Sequence, residues 1–188
     1  YSLQGRYPEA IDELKTGLTS DPKNSEAHNN LGLIYAKRKQ WSEAIAEFKA
    51  ALANPEYASP HAAHLNLGQA YLEQGNLEAS IEEHKKALEA KPDYELAHAG
   101  LGRVYLLKGE MDLAIQELEK ALKTNERQIG AQYDLGRAYL GKGDKERSAA
   151  ASERAKQAPV RMYRRWEGLV IFCMVGLRFG VWGRRGAG

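Results

Sequence analysis

The sequence has little of the chemistry on which most enzymes depend. Among 188 residues there is one cysteine, Cys173, so no disulfide can form within the chain and the thiols indicate no redox compartment. It also lacks a glycine-rich phosphate loop, a Gly-x-Ser-x-Gly turn and a His-Glu-x-x-His motif. We therefore expect no enzymatic activity, no catalytic residues, no cofactor and no bound metal.

Proline and phenylalanine are also scarce, at 6 and 3 copies, whereas Ala, Leu, Glu and Lys are abundant. This composition favours helices over strands. Long hydrophobic runs are missing as well. The apolar run at residues 169–175 is well below the roughly 20 residues of a membrane-spanning helix. The chain is therefore predicted to be helical, without a transmembrane segment.

A short motif, Leu-Gly-x-x-Tyr, occurs four times. Its tyrosines, Tyr35, Tyr71, Tyr105 and Tyr139, are 36, 34 and 34 residues apart, and Tyr1 lies another 34 residues before Tyr35. A fixed period of this length marks a stack of similar units, none of which can bury its apolar face alone. The periodicity predicts a solenoid, with the tyrosines buried where units meet.

Other positions recur in phase with these tyrosines. Small residues occur where two helices must approach closely, bulky residues follow four positions later, and glycines separate the two helices of each unit. The small residues are Ala10, Ala44, Ser80, Ala114 and Ser148; the bulky position holds Leu14, Phe48, His84, Leu118 and Ser152; the glycines are Gly5, Gly75, Gly109 and Gly143. Each unit is therefore predicted to be a helix, a turn and a second helix.

This combination resembles the tetratricopeptide repeat, a unit of about 34 residues with Leu-Gly, Tyr, Ala, Phe and Pro at set positions. The resemblance covers residues 1–158 and implies an all-α fold, an α-solenoid of antiparallel helix pairs in a right-handed superhelix. We divide it into a half repeat at 1–24 and four full repeats, called the first to the fourth. These span residues 25–60, 61–94, 95–128 and 129–158.

The family's tryptophan position holds His28, His64, His98 and Gln132 in this chain. Recurring histidines can indicate a metal site. Packed helices lie roughly 8 to 10 Å apart, however, and ligands must each reach about 2 Å from one metal ion. Equivalent histidines of successive repeats cannot converge in that way. We interpret them as packing or surface residues.

The last thirty residues do not follow the pattern. Residues 159–188 hold six Arg and one Glu, a charge of +5, whereas residues 1–158 sum to −3. A transmembrane helix and an interfacial anchor are alternatives for this basic, glycine-rich and tryptophan-rich tail. We favour an extension outside the fold. The segment 144–158 has a polar outer face and is predicted to cap the solenoid.

In the tetratricopeptide family the first helix of each repeat lines a concave groove. The resemblance thus implies a protein or peptide partner, without nucleic acid. On these helices, periodicity selects groove residues Asn30, Leu33, Lys37, Leu65, Asn66, Gln69, Arg103, Leu106, Tyr133 and Arg137. It also places Asn29, Leu72, Leu107, Asp134 and Leu140 nearby. Of the family's carboxylate clamp for chaperone tails only Asn30 is matched, so that binding mode is not expected.

The first repeat is two residues longer than the second and third, through a segment from Asn54 to Pro60 that reads Asn-Pro-Glu-Tyr-Ala-Ser-Pro. This segment resembles a loop of the type IV pilus biogenesis and stability lipoproteins, the pilotins. The resemblance implies an outer-membrane lipoprotein that faces the periplasm and assists assembly of a secretin subunit. Its lipidated cysteine would lie before Tyr1, and we expect the chain to be cut there. Tyr57 is expected to pack on the neighbouring repeat.

Two other interpretations stay open. The repeats could be an arm of a larger enzyme, such as a glycosyltransferase, or a cytoplasmic scaffold unrelated to pili. A catalytic motif beyond the present sequence would favour the first, and the genomic neighbourhood would test the second. The complete reading frame would distinguish all three by showing a lipidation motif, a further domain or neither.

Overall fold

The computed structural model describes residues 7–157. Over this range the chain forms nine α-helices and no strand. They are α1 (Tyr7–Ser20), α2 (Ser25–Lys37), α3 (Trp41–Leu52), α4 (Pro60–Glu73), α5 (Leu77–Ala90), α6 (Glu95–Lys108), α7 (Met111–Thr124), α8 (Ile129–Gly141) and α9 (Lys145–Gln157). The predicted all-α solenoid of helix pairs is confirmed. The predictions for Tyr1, Gly5 and the tail at 159–188 lie outside the described residues.

The helices stack in chain order. The closest pairs are α2 with α3, α4 with α5, α6 with α7 and α8 with α9, which are the two helices of each full repeat. Successive first helices, α2, α4, α6 and α8, also contact one another, whereas among the described helices successive second helices do not. The stack therefore curves, with the first helices on its concave side and the second helices on its convex side.

Within each of the first three full repeats, the Leu-Gly motif of the first helix packs on the bulky residue of the second. Phe48, His84 and Leu118 are each 0% exposed. A Cβ atom on Gly102 would lie 2.6 Å from Cγ of Leu118, closer than a real Cβ can approach. Ala44, Ser80 and Ala114 are fully buried too. The predicted close approach of the two helices is confirmed.

The turn between the two helices needs a left-handed residue. Gly75, Gly109 and Gly143 have φ angles of 80°, 79° and 80°. In the first repeat the same conformation falls on Lys39, with φ at 59°. A side chain makes this conformation unfavourable, and glycine does not. The first repeat therefore has a more strained turn than the other three.

The tyrosines differ in burial. Tyr105 and Tyr139 are 9% and 6% exposed, as predicted. Tyr35 and Tyr71 pack against the core but remain partly exposed, so the prediction is wrong for these two. The ring of Tyr71 extends toward the surface, where Nζ of Lys49 lies 5.7 Å from its centroid. At this position the first and second repeats therefore leave more of the tyrosine exposed than the third and fourth repeats do.

The longer connection in the first repeat is held by packing. Tyr57 is 8% exposed and contacts Ala51 and Ala63, which confirms the predicted packing. Asn54 accepts a hydrogen bond from the backbone N–H of Glu56, and its amide donates to the carbonyl of Lys23. The loop therefore ties the end of α3 to the turn that follows α1. None of the helices that the structure describes combines the length and apolar content needed to cross a membrane.

Candidate binding groove

All ten predicted groove residues lie on the first helices, which form the concave side. Asn30, Leu33 and Lys37 lie on α2; Leu65, Asn66 and Gln69 on α4; Arg103 and Leu106 on α6; Tyr133 and Arg137 on α8. The helices of successive repeats thus bring residues about 34 positions apart in sequence onto one surface. Their side chains differ in exposure and in hydrogen-bond partners along the groove.

The N-terminal half of the groove is polar. Asn66 donates its amide to Oδ1 of Asn29 over 3.0 Å, which links α4 to α2. Gln69 donates to Oε1 of Glu73 over 2.9 Å. Asn30 and Lys37 are exposed. Part of the amide capacity predicted for ligand binding is therefore used between the repeats, while Asn30 remains accessible.

The predicted leucine anchors are not equally accessible. Leu33 and Leu65 are partly buried. Leu106 is 7% exposed and packs in the core cluster that contains Leu135 and Ala138 of α8. Because α6 is contacted by α8, this position faces a neighbouring helix and offers almost no surface. Helical periodicity selects the side of the helix but cannot show which part of it the next repeat covers.

A buried carboxylate organises the C-terminal half of the groove. Asp134 is 3% exposed, and its Oδ2 accepts a 2.7 Å hydrogen bond from Nε of Arg103. Its Oδ1 lies 3.7 Å from Nη1 of Arg137. One carboxylate therefore holds two guanidinium groups, from α6 and α8, and leaves a net positive charge at the surface. Periodicity placed Asp134 near the groove but did not indicate this role.

Exposed apolar side chains lie beside these arginines. Tyr133 is 59%, Leu140 58% and Leu107 52% exposed. Tyr133, Arg137 and Leu140 are spaced four and three residues apart, so they share one face of α8. Leu113, at 42% exposure, is a comparable leucine on the second helix α7. An apolar surface beside fixed positive charge is the arrangement of a protein-binding site.

The recurring histidines pair with glutamates. Nδ1 of His28, His64 and His98 lies 2.7 Å from Oε2 of Glu47, Glu83 and Glu117, respectively. Each pair joins the first and second helix of one repeat. The described residues contain no group of three or more residues that could hold a metal ion. Sequence reasoning missed these pairs, although the same spacing of 19 residues occurs in three repeats.

One pair has a measurable electrostatic consequence. Burial alone would raise the pKa of Glu83, but hydrogen bonds from His64 and Lys86 outweigh it and lower that pKa below its ordinary value. The ionised carboxylate is therefore the form that the folded repeat favours. These pairs link the two helices of the first, second and third repeats.

Comparisons with known proteins agree with this architecture. Tetratricopeptide repeat models match residues 4–59 and 129–158, and a TPR repeat model matches residues 68–109 and 102–143. No curated protein matches the chain. A crystal structure of MamA superposes with a TM-score of 0.74 at 27% identity, over 86% of this chain and 93% of that one.

Two further structures share the fold at lower identity. YrrB, described as a TPR protein with an unusual peptide-binding site, is 16% identical with a TM-score of 0.67, over 87% of this chain and 84% of its own. PilW, described as a widely conserved type IV pilus biogenesis factor, is 23% identical with a TM-score of 0.67, over 84% and 69%. The repeats, the helix pairs and these matches agree, and the chain belongs to the tetratricopeptide repeat family.

Proposed function

We propose that this chain is a non-catalytic scaffold that binds a protein or peptide partner in its concave groove. The observation that carries the proposal is the surface formed by Leu107, Tyr133 and Leu140 around Arg103 and Arg137. Aromatic and arginine side chains supply most of the binding energy in many interfaces. Here the two are neighbours on a rigid pair of helices.

The geometry also favours a partner with hydrogen-bond acceptors or acidic groups. Asp134 fixes Arg103 through Nε, so the two terminal nitrogens of that guanidinium remain to bind a ligand. Arg137 is 51% exposed at its side chain and only loosely paired. Because the groups are already oriented, little conformational entropy is lost when a partner binds. Asn30 extends the polar surface toward the N-terminal half.

A finer hypothesis is that the partner is an outer-membrane secretin subunit. It is supported by the loop from Asn54 to Pro60, whose Tyr57 is buried against the neighbouring helices, and by the likeness of fold to PilW. On this hypothesis the protein lies on the periplasmic face of the outer membrane, anchored only through a lipidated cysteine upstream of Tyr1. A repeat arm of a larger enzyme and a cytoplasmic scaffold are the alternatives.

The groove is tested with an array of random 12-residue peptides probed with the full chain. Tyr133→Ala should weaken the binding free energy of these peptides by about 1 to 4 kcal/mol. Calorimetry with the same peptides measures the change. The melting temperature should stay the same, because Tyr133 is mostly exposed. Leu113→Ala is the matched control, since it removes an exposed leucine from the opposite side. Peptides that are lost with Leu113→Ala and kept with Tyr133→Ala would contradict the groove assignment.

The secretin hypothesis needs a separate test in cells. A strain that carries Tyr133→Ala and Arg103→Ala should fail to assemble secretin rings, although the protein is present at its normal level. Electron microscopy of isolated outer membranes would show the rings. Normal rings in that strain would contradict a role of this groove in secretin assembly. A complete gene without a lipidation motif would contradict the pilotin hypothesis and leave the groove proposal intact.

A further inference from the structure

A second surface feature lies on the opposite side of the solenoid. A cavity of about 860 Å³ opens between the second helices α7 and α9, with α8 as its floor. We call it the convex cavity. Its lining includes the buried residues Gln132 and Ala151 and the exposed residues Arg147, Ala150 and Arg154. It shares no lining residue with the concave groove described above.

The convex cavity exists because the fourth repeat lacks the histidine–glutamate pair. Residues 34 positions apart are equivalent in the third and fourth repeats. Gln132 stands where the third repeat has His98, and Ala151 stands where it has Glu117. Ala150 likewise replaces Gln116. Two long polar side chains are thus reduced to methyl groups, and the space that they fill in the third repeat is open in the fourth.

The missing pair leaves a cation without its carboxylate. In the third repeat, Nζ of Lys120 lies 2.7 Å from Oε1 of Glu117, and in the second, Lys86 lies 3.0 Å from Glu83. Arg154 is the equivalent of Lys120, and the alanine opposite it cannot accept a hydrogen bond. Arg147, by contrast, is already paired with Asp144. Arg154 is therefore the cation of the convex cavity that is available to a ligand.

The missing pair also leaves a buried acceptor. Gln132 is 8% exposed, and its amide nitrogen donates to the backbone carbonyl of Glu126. A carbonyl can only accept, so the nitrogen must face it and Oε1 must point the other way. That oxygen is buried and has no hydrogen-bond partner among residues 7–157. An unpaired buried acceptor is unfavourable, and a ligand with an N–H group would satisfy it.

We propose that the convex cavity binds a peptide segment that carries an acidic side chain. Its carboxylate accepts hydrogen bonds from Arg154, in the place of Glu117 in the third repeat, and a backbone N–H donates to Oε1 of Gln132. Arg127 at the rim adds a further positive charge. Two carboxylates also belong to the lining: Glu119 accepts a hydrogen bond from Tyr139, and Glu126 is exposed. Inorganic sulfate, which carries no N–H or O–H group at neutral pH, could satisfy Arg154 but not Gln132. A peptide supplies both groups within one residue.

The probe is acetyl-Ala-Glu-Ala-amide, titrated into the full 188-residue chain and followed by two-dimensional amide NMR. We expect saturable shifts at the side-chain amide of Gln132 and the backbone amides of Ala150 and Ala151. Acetyl-Ala-Gln-Ala-amide should bind several-fold more weakly, because it lacks the charge that Arg154 recognises. No saturable shift with the glutamate peptide would overturn the proposal. So would equal shifts with inorganic sulfate.

The third repeat supplies a matched control. The double substitution Gln132→His and Ala151→Glu installs the pair that the three earlier repeats have, and it should abolish the shifts. Shifts that persist in this variant would overturn the proposal. A second variant, Arg154→Gln, does not depend on repacking and should remove the preference for glutamate over glutamine. Tyr133→Ala should leave the affinity for the glutamate peptide unchanged, because Tyr133 belongs to the groove and does not line the convex cavity.

Discussion

The third and fourth repeats have the same backbone and very different interiors. The third has Leu118 at 0% exposure and the pair of His98 with Glu117, whereas the fourth has the partly buried Ser152 and no such pair. The third repeat is packed between two neighbours, and the fourth has one among the described residues. Among the described residues, apolar volume is therefore concentrated in the repeat with a neighbour on both sides, and the repeat with one described neighbour is more polar.

The same comparison extends to the binding surface. Tyr133 and Leu140, which are among the most exposed apolar side chains described, lie on the first helix of the fourth repeat. Binding surfaces are often found in the less stable parts of a fold, because apolar area that is left open to a partner cannot stabilise the free protein. The fourth repeat combines exposed apolar side chains with a polar core position, Ser152. Substitutions in this repeat can therefore test whether stability and binding change independently.

The largest effect should come from the core position that differs most between the two repeats. Leu118→Ala should lower the free energy of unfolding by about 2 to 5 kcal/mol, because it leaves a cavity between α6 and α7. The equivalent change in the fourth repeat, Ser152→Ala, should stay within about 0.5 kcal/mol. Urea denaturation followed by circular dichroism measures both. Equal losses would show that the fourth repeat is not the polar end that we describe.

A smaller loss is expected when the third repeat is made to resemble the fourth. Glu117→Ala removes the acceptor of both His98 and Lys120 and should cost about 1.5 to 3 kcal/mol, the usual range for hydrogen bonds to charged groups. The same urea experiment measures it. The control is Glu119→Ala. Glu119 lies two residues away on α7, and its side chain is hydrogen-bonded to a different partner, Tyr139. A loss no greater than the control's would contradict a stabilising role of the pair.

The fold could be predicted because its information is local and repeated. Ala44, Phe48 and the Leu-Gly motif recur with helical spacing, and each repeat confirms the others. The site was harder to predict. The burial of Leu106 and the contact of Asp134 with Arg103 depend on how closely adjacent repeats pack. The sequence pattern within a single repeat does not indicate the distance between neighbouring repeats. The histidine–glutamate pairs could have been found from their repeated spacing, had both residues been compared across the repeats.

The core of the second repeat contains a histidine, so its stability should depend on pH. His84 takes the place of Phe48 and Leu118, and burial lowers its pKa below the ordinary value of 6.5. As pH falls below that value the unfolded chain binds a proton that the folded chain excludes, so stability should decrease. His84→Leu should make this decrease shallower between pH 6.5 and 5. Melting temperatures across that range provide the measurement.

Other groups also titrate and must be separated from His84. Burial and the charge of Lys91 lower the pKa of His61, so some slope should remain in the variant. The lowered pKa of Glu83 acts in the same direction, but only as pH falls below its ordinary value of 4.5. The interval above pH 5 therefore reports mainly on the histidines. An unchanged slope in His84→Leu would contradict the buried, neutral form of His84.

The smallest effect concerns the turn of the first repeat. Lys39→Gly gives that turn the residue that the other three repeats have and should raise the free energy of unfolding by about 0.5 to 1 kcal/mol. The gain is small because relief of the left-handed strain is partly offset by the greater freedom of glycine in the unfolded chain. Gly109→Lys, the reverse change in the third repeat, should lower stability. Opposite signs in thermal melts would confirm the comparison, and equal signs would contradict it.

Each described helix contacts only helices one or two places away along the chain, and this has a consequence for synthesis. No contact must wait for a distant segment, since the closing of long loops is what slows the folding of proteins with non-local contacts. A repeat can therefore acquire its native neighbours soon after it leaves the ribosome, while the following repeats are still being made. The polar fourth repeat emerges after the third and then covers the apolar side of the third.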